Sequence, residues 1–253
     1  MLIINADDLG RNHAATMNIV TCYRQGLITS ASAMVYMSDS HQAAESAKAS
    51  GLETGLHINL TEKFDGPGLP PGLQKNHSYL VKYFRKRKWT QLLYNPFVQK
   101  KVDYVFKAQL DEYHKLFSEE PAHFNGHHHM HLCMNMILGR TIPPRSGVRR
   151  NFSFERAEKN ALNRLYRRFI DNRLVKRYYC TDYFYSLESD LDLQRLKRII
   201  NLAFLSDVEI MTHPEKTRTL DFLWSPQYWD LVSEVPKGTY RLLVHNRRET
   251  SPE

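Results

Sequence analysis

Short apolar segments alternate with helical segments along most of this 253-residue chain, and this alternation limits its fold more than any other feature. Apolar runs predict strands at residues 2–6, 30–36, 53–59, 122–126, 178–185, 208–212 and 240–245, with one more near Val148. Between them, helical periodicity predicts helices at residues 14–25, 41–49, 102–117, 155–173 and 191–205. This order is typical of βαβ units, in which crossover helices join parallel strands. We therefore predict an α/β fold with a mainly parallel sheet, either open or closed into a barrel.

Residues 60–100 interrupt the alternation. They contain Gly66-Pro67-Gly68 and Pro70-Pro71-Gly72, and glycine and proline favour turns and loops. Long loops in compact domains often act as lids over a site, so we expect an irregular excursion here. The length of the chain suits one large domain. We predict a single domain over residues 1–253, with this excursion around 60–100 and a basic helical segment around 151–178.

Positive charge is concentrated in one part of the chain. The net charge is +8, and residues 140–180 hold twelve Lys or Arg against three acidic residues. Such clusters occur in nucleic-acid-binding proteins, but no helix-turn-helix, zinc-finger or RRM pattern accompanies this one. We interpret it as a solvated helix face with a loop, and we expect no nucleic-acid partner. An anionic sugar or a lipid-linked substrate is a further option.

The sequence also bears on compartment and association. It contains no run of about 18 apolar residues, so no membrane-spanning helix is expected. Residues 1–8 are too short in their apolar part, and too acidic, for a secretory signal peptide. Cys22, Cys133 and Cys180 are scattered and odd in number, which argues against a disulfide framework. These features predict a cytoplasmic protein and leave its oligomeric state open, with a homodimer as one option.

Four polar motifs stand where predicted strands end. Residues 123–131 contain five of the twelve histidines in the chain. The other motifs are Asn5-Ala6-Asp7-Asp8, Gly55-Leu56-His57-Ile58-Asn59 and Thr212-His213-Pro214-Glu215. The active sites of parallel α/β folds lie at the carboxyl ends of the strands. We therefore expect the four motifs to converge in space.

The converging side chains suit a catalytic metal site. Asp8, His57 and one histidine of residues 127–129 would give a divalent ion three protein ligands and leave positions open for water and substrate. Consecutive side chains on an extended strand point in different directions, so Asp7 can face the substrate as a base while Asp8 binds the metal. His213 would then protonate the leaving group. This set predicts hydrolysis of an amide or an ester, and spacing alone does not choose among the three histidines.

These motifs together resemble the YdjC-like carbohydrate deacetylases. The resemblance covers residues 1–135 well and is thinner from 136 to 253. It is carried by Asn5-Ala-Asp-Asp-Leu-Gly10, Gly26-Leu-Ile-Thr-Ser30, Gly55-Leu-His-Ile-Asn-Leu-Thr61, His123 to His131, and His213-Pro214. It implies an irregular, TIM-like β/α barrel and one divalent metal ion, Mg²⁺ or Zn²⁺. It also implies removal of acetyl groups from N-acetylated sugars, either chitooligosaccharides or glycoconjugates.

The resemblance also implies residue roles. Carried over position by position, it gives Asp8, His57 and His127 as metal ligands. It gives Asp7 as the general base, and His213 as the residue that acts on the leaving amine.

One position departs from the family pattern, in which an aspartate usually stands where this chain has Asn125. An amide cannot act as a base or as a charged partner of a metal ligand, so metal binding or activity would be altered. Further candidates for ligand support or substrate contact, besides Asn125, are Asn59, His129 and Trp224. Two alternatives stay open: another metal-dependent hydrolase such as a phosphoesterase, and a non-catalytic sugar- or anion-binding protein.

Overall fold

One parallel sheet organises the part of the chain that the computed structural model describes, residues 1–154, 161–189 and 193–250. Its six strands lie in the order β4-β3-β2-β1-β6-β5, and each neighbouring pair is parallel. The sheet curls into a half-barrel flanked by helices, which confirms the predicted α/β fold and is consistent with a TIM-like barrel. The strands are β1 (Leu2–Leu9), β2 (Ser30–Ala33), β3 (Thr54–Ile58), β4 (Phe124–Gly126), β5 (Tyr183–Ser186) and β6 (Val208–Thr212).

Helices connect and cover these strands. Three 3₁₀ segments complete the described structure. They are Leu187–Ser189, Leu202–Phe204 and the longer His127–Leu132. Within the described ranges, no helix combines the length and the apolar character that a membrane crossing needs. The helices are α1 (His13–Arg24), α2 (Ser40–Ser50), α3 (Pro71–Lys86), α4 (Trp89–Leu92), α5 (Pro96–Phe117), α6 (Met134–Gly139), α7 (Ala161–Val175), α8 (Leu193–Asn201), α9 (Thr217–Leu223), α10 (Pro226–Val232) and α11 (Tyr240–Thr250).

The centre of the sheet is β1, and local sequence explains how the chain leaves it. All eight residues of β1 are buried, as expected for a central parallel strand with a neighbouring strand on each side. After it, the side chain of Asn12 accepts a hydrogen bond from the Ala15 amide and caps α1. Just past the end of α1, Gly26 takes a left-handed φ of 71° that its missing Cβ permits. The chain therefore returns to the amino end of the sheet, where β2 begins beside β1.

Two predicted elements were wrong. Residues 60–100 are not an irregular excursion, because α3, α4 and the start of α5 occupy most of them. Pro71 and Pro96 stand at the first positions of α3 and α5, where proline begins a helix rather than breaking one. Residues 240–245 form the start of α11 instead of a strand.

Other boundaries shifted. Strand β2 ends at residue 33 rather than 36, and β5 begins at 183 rather than 178. Val148 makes only an isolated bridge to Phe124. The helix predicted at 155–173 is seen as α7, and its first predicted residues, 155–160, lie outside the described residues.

Helix α3 is tied to the carboxyl end of β3 through a buried histidine. His77 Nε2 lies 3.2 Å from the carbonyl oxygen of Asn59, and its ring stacks on Phe64 with 3.5 Å between centroids. Burial lowers the pKa of His77 to about 4, although the hydrogen bond to Asn59 opposes this shift. The folded protein therefore holds this imidazole neutral under conditions in which an exposed histidine becomes charged.

We predict that His77 makes the protein acid-sensitive. Its folded pKa lies below its unfolded value, so its contribution to stability is complete above about pH 6.5 and is lost as the pH falls towards 4. The free energy of unfolding should fall by up to about 1.4 kcal/mol per pH unit in this window because of this one group. Urea unfolding at pH 7 and pH 5 should show a smaller loss for His77→Gln than for the unchanged protein. The exposed His41→Gln is the control, and an equal loss in His77→Gln would contradict the prediction.

Candidate metal centre

Three buried side chains converge at the carboxyl edge of the sheet. Asp8 comes from β1, His57 from β3, and His127 directly follows β4. Asp8 Oδ1 lies 3.2 Å from His57 Nε2 and 3.0 Å from His127 Nδ1. One donor atom from each of the three residues lies within 4.8 Å of the others. Two imidazole nitrogens and a carboxylate oxygen are a donor set that suits a divalent ion, zinc in particular, and leaves coordination positions open.

An extra residue in β1 aims Asp8 at this point. Between Ala6 and Leu9 the pairing of β1 with β2 shifts register, because β1 has one residue more than β2 in this stretch. Asp8 takes a left-handed φ of 71°, a conformation that aspartate tolerates better than most residues. Such bulges re-aim side chains next to active sites. Asp7 and Asp8 point in different directions, as expected for neighbours on a strand, and the bulge sets the direction of Asp8.

The Asp8 carboxylate is held in the ionised form that binding of a cation requires. Burial favours its neutral form, but hydrogen bonds from His127 and His57 outweigh burial and hold its pKa well below the usual range. Its second oxygen, Oδ2, lies 3.5 Å from Arg11 Nη1 and 3.9 Å from His213 Nε2. The carboxylate therefore stays ionised, with one oxygen directed at the imidazoles of His57 and His127.

Asn125 controls the tautomer of His57, and its amide fits in two orientations. In one, Asn125 Oδ1 accepts from His57 Nδ1 at 2.7 Å, and Asn125 Nδ2 donates to Ser32 Oγ at 2.7 Å. In the other, Nδ2 donates to His57 Nδ1 at 2.7 Å, and Oδ1 accepts from Arg149 at 2.9 and 3.1 Å. Only the first puts the proton on Nδ1 and leaves Nε2 with the lone pair that a metal requires. A carboxylate at this position could only accept.

Asp7 is held by a buried arginine that sequence reasoning missed. Arg149 donates from Nη1 to Asp7 Oδ2 at 2.6 Å and from Nη2 to Asp7 Oδ1 at 2.8 Å. Asn5 Nδ2 donates to the same Oδ1 at 2.9 Å. Burial opposes ionisation of Asp7, but Arg149 overcomes it and keeps the pKa of Asp7 below its ordinary value. The only sequence signal for Arg149 was its place in the basic region, where eleven other cations hid it.

His213 follows β6 and is held by a second residue that the sequence did not reveal. Its Nδ1 lies 2.5 Å from Glu188 Oε1, and Lys216 binds the other oxygen of Glu188. Burial lowers the pKa of His213, but the hydrogen bond to Glu188 and the charges of Asp7 and Asp8 raise it above its ordinary value. The Nε2 edge of His213 therefore faces the ligand Asp8 with a proton that it tends to keep.

An arginine and two glutamates line the mouth of the site. Glu62 Oε2 lies 2.7 Å from His127 Nε2, although outside hydrogen-bonding alignment. Arg11 donates to Glu62 Oε1 at 3.1 Å and to Glu215 Oε1 at 2.9 Å. Glu62 stands where a carboxylate commonly orients a histidine ligand, and Arg11 balances the local negative charge.

The remaining candidates have supporting positions. The amide of Asn59 shapes the loop that carries Glu62, since Oδ1 accepts from the backbone amides of Thr61 and Glu62 at 3.1 and 2.8 Å. His129 packs edge-on against Phe152, with 4.7 Å between ring centroids. Trp224 lies at the end of α9 with 49% of its surface exposed. Of the predicted residues, the structure brings Asp7, Asp8, His57, Asn125, His127 and His213 together.

The other histidines of the cluster have structural contacts. His123 is fully buried, with Nε2 2.9 Å from Ser32 Oγ and its ring stacked on Tyr240. His128 Nδ1 lies 2.9 Å from Thr61 Oγ1, and His131 Nε2 lies 3.2 Å from the carbonyl oxygen of Arg149. Of the five histidines, His127 alone belongs to the group of three buried donors that the described residues form.

Sequence comparisons with known proteins find a matching family model and several similar proteins. The sequence model of the YdjC-like protein family matches residues 1–233. A chitooligosaccharide deacetylase from Serratia marcescens is 30% identical over 133 residues, which are 52% of this chain and 51% of the relative. One from Proteus mirabilis (strain HI4320) is 32% identical over 134 residues, 52% of this chain and 50% of the relative. A carbohydrate deacetylase from Danio rerio is 29% identical over 136 residues, 52% and 42% of the two chains. The chain spans about half the length of the curated relatives that it matches.

A solved structure shares the fold along its whole length. It is named as a candidate cellobiose-phosphate cleavage protein from Enterococcus faecalis V583. It superposes with a TM-score of 0.66 at 19% identity and covers 96% of this chain and 98% of its own. At this level of identity the likeness establishes the architecture alone.

Replacement of Asn125 by aspartate should tighten metal binding. The carboxylate of Asn125→Asp can only accept from His57 Nδ1, so it fixes the tautomer that binds metal, whereas Asn125→Ala removes the acceptor. We expect Asn125→Asp to bind Zn²⁺ roughly tenfold more tightly, and Asn125→Ala roughly tenfold more weakly, than the unchanged protein. Isothermal titration calorimetry measures both affinities. The exposed Asn201→Asp controls for added negative charge, and equal affinity of Asn125→Asp and the unchanged protein would refute the argument.

Proposed function

Because this chain belongs to the YdjC-like protein family, we propose that it is a metal-dependent hydrolase that removes acetyl groups from N-acetylated carbohydrates. The observation that carries the proposal is the convergence of Asp8, His57 and His127 between the ionised Asp7 and the proton-bearing His213. The names of the curated relatives support the substrate class, a chitooligosaccharide-like sugar or a glycoconjugate.

The three convergent residues would hold one divalent ion, Mg²⁺ or Zn²⁺. Such an ion polarises an acyl oxygen and makes water acidic enough to attack at neutral pH. Asp8, His57 and His127 come from three different strand ends, so the folded sheet sets their separation before the ion binds. Burial of all three side chains excludes competing water from the donor atoms.

Asp7 would act as the general base. It is ionised and buried, and Arg149 with Asn5 fixes the orientation of its carboxylate. A carboxylate has about four lone-pair positions, so these contacts leave room to accept a proton from the attacking water. Arg149 lowers the basicity of Asp7, so this carboxylate would take a proton readily only from a donor that is more acidic than bulk water.

His213 would act as the general acid. The amide nitrogen must gain a proton before it leaves as an amine, and the protonated imidazole supplies it from Nε2. Glu188 holds the opposite nitrogen, Nδ1, and so fixes which edge of the ring faces the site. The products are acetate and the free amino sugar.

A cavity beside the metal centre offers room for the rest of the substrate. Its volume is about 690 Å³, within the usual range for small-molecule sites. His128 and His129 form its side towards the metal centre, and Phe152 and Tyr166 give it aromatic surface. Sugar rings place their apolar faces on such side chains, so we propose that the neighbouring sugar or aglycone lies here.

The central test combines metal loading with acetate release. We expect the protein to release acetate from acetylated chitooligosaccharides when Zn²⁺ or Mg²⁺ is present and to lose this activity after chelation. His57→Ala and His127→Ala should lose metal binding and at least about 100-fold in kcat/KM, because each removes one of three ligands. The exposed His41→Ala serves as control. Full activity of both variants without metal would overturn the mechanism, and release of phosphate from sugar phosphates without any acetate would favour the phosphoesterase alternative.

A second prediction concerns Glu188. In Glu188→Gln the carboxylate that raises the pKa of His213 is lost, while Asp7, Asp8 and Lys216 remain around the imidazole. The reaction needs protonated His213, so activity falls as the pH rises through its pKa. We expect the alkaline limb of the kcat profile to move to lower pH, and kcat at neutral pH to fall roughly tenfold or more. Glu215→Gln, which removes a carboxylate bound to Arg11, is the matched control. An unshifted alkaline limb would argue against His213 as the acid.

A further inference from the structure

Most of the basic region at residues 140–180 is not used by the proposed reaction, and it folds into two segments that lie side by side. The Arg145 amide donates to the carbonyl oxygen of Arg177 at 2.8 Å, and the Tyr179 amide donates to that of Ser146 at 2.9 Å. These backbone bonds place two cationic residues, Arg145 and Arg177, next to each other. Arg145 also has a left-handed φ of 59°, which is uncommon for a residue with a side chain.

The two segments enclose a cavity of about 400 Å³ with mainly positive walls. Of the described residues that line it, five carry positive charge and one carries negative charge. The five are Arg145, Arg150, Lys176, Arg177 and Arg247, and the acidic residue is Asp182. A concave cluster of this size suits a small ligand better than an extended polymer.

The nearby carboxylates that the structure describes do not pair with Lys176 or Arg177. Asp182 is engaged by Arg247 at 2.8 Å, and Asp171 lies 3.6 Å from Arg150. Within the described part of the chain, Arg177 donates to neutral oxygens, the hydroxyl of Tyr178 at 3.2 Å and a backbone carbonyl at 3.5 Å. Among the described residues, Lys176 has no hydrogen-bond or ion-pair partner. Positive charge therefore remains available on the wall of the cavity.

A buried hydroxyl adds a second polar feature to the same cavity. Thr181 lines it with only 1% of its surface exposed. Within the part of the chain that the structure describes, Thr181 Oγ1 has no hydrogen-bond partner. A buried polar atom without a partner costs free energy, and a ligand oxygen that reaches it would remove this cost.

The cavity lies at the opposite end of the sheet from the metal centre. Thr181 and Asp182 come just before β5, and Asp207, which accepts from Arg247 at 3.0 Å, comes just before β6. All six strands are parallel, so these residues mark the amino end of the sheet. A ligand here would be separate from the substrate of the proposed reaction.

We propose that this cavity is a second binding site, for a phosphate group carried by a small molecule in solution. A phosphate dianion offers several acceptor oxygens, which match the forked donors of arginine and the point charge of lysine. Lys176 and Arg177 are the anchors of the site, and Thr181 is its buried donor. A phospholipid headgroup carries the same chemistry, and the experiment separates it from a soluble phosphate.

The proposal is tested by isothermal titration calorimetry of the 253-residue chain with inorganic phosphate at constant ionic strength. We expect saturable binding that weakens about tenfold in Lys176→Gln and in Arg177→Gln, since each removes a charge-assisted contact. Lys176 is exposed, so its replacement leaves folding intact even if the Arg177 variant is less stable. Zn²⁺ affinity should stay unchanged in both variants, because the metal centre lies at the other end of the sheet.

Two controls, a charge-removal variant and lipid vesicles, distinguish binding in this cavity from binding elsewhere on the protein or to a membrane surface. Lys82→Gln with Lys86→Gln removes exposed positive charge from α3 and should leave phosphate binding unchanged. Phosphate binding in the Lys176 and Arg177 variants that is as strong as in the unchanged protein would place the anion elsewhere and overturn the proposal. Capture by phosphatidylcholine vesicles that contain phosphatidic acid, without binding of inorganic phosphate, would overturn it in favour of a membrane surface. The absence of any phosphate binding would also refute it.

Discussion

The buried Arg149 guanidinium joins two strands of the sheet and also holds the Asp7 carboxylate of the candidate site. It binds Asp7 from β1 through two hydrogen bonds and Glu209 from β6 at 2.8 Å, and none of its surface is exposed. Tyr240 of α11 binds the other oxygen of Glu209. Burial of these charges is tolerable only because they are paired, and removal of Arg149 would leave the two carboxylates in the core without their counter-charge. One interaction therefore stabilises the packing of two strands and a helix while it keeps Asp7 ionised and oriented.

Near the one-residue bulge in β1, two neighbouring carboxylates contact different partners. Asp7 faces Arg149, while Asp8, in its left-handed conformation, faces the two ligand imidazoles. The three candidate ligands come from β1, β3 and the residue after β4, and the parallel sheet places them together at its carboxyl edge. Asn125 lies between the two groups and contacts both His57 and Asp7. Its amide can serve either side, whereas a carboxylate at this position could only accept hydrogen bonds.

Sequence patterns predicted this arrangement unevenly. Residues that follow apolar runs were placed well, because the end of a buried parallel strand is visible as a change from apolar to polar side chains. The helices in residues 60–100 were missed because proline at a helix start was interpreted as a loop signal. The start of α11 was mistaken for a strand because a short apolar run does not distinguish the two. Glu62, Arg149 and Glu188 have no motif, since each acts through a contact with a residue far away in sequence.

The sequence by itself determined the parallel α/β class, the four strand-end motifs and the candidate donors Asp8, His57 and one histidine of residues 127–129. These follow from local periodicity and from residue chemistry, which are properties of short segments. Only the tertiary structure decided which cluster histidine faces Asp8, which residue holds Asp7, and which carboxylate holds His213. It also decided that the basic region encloses a cavity at the far end of the sheet. The reason is physical: charge pairing and burial depend on distances across the fold, and no local pattern encodes them.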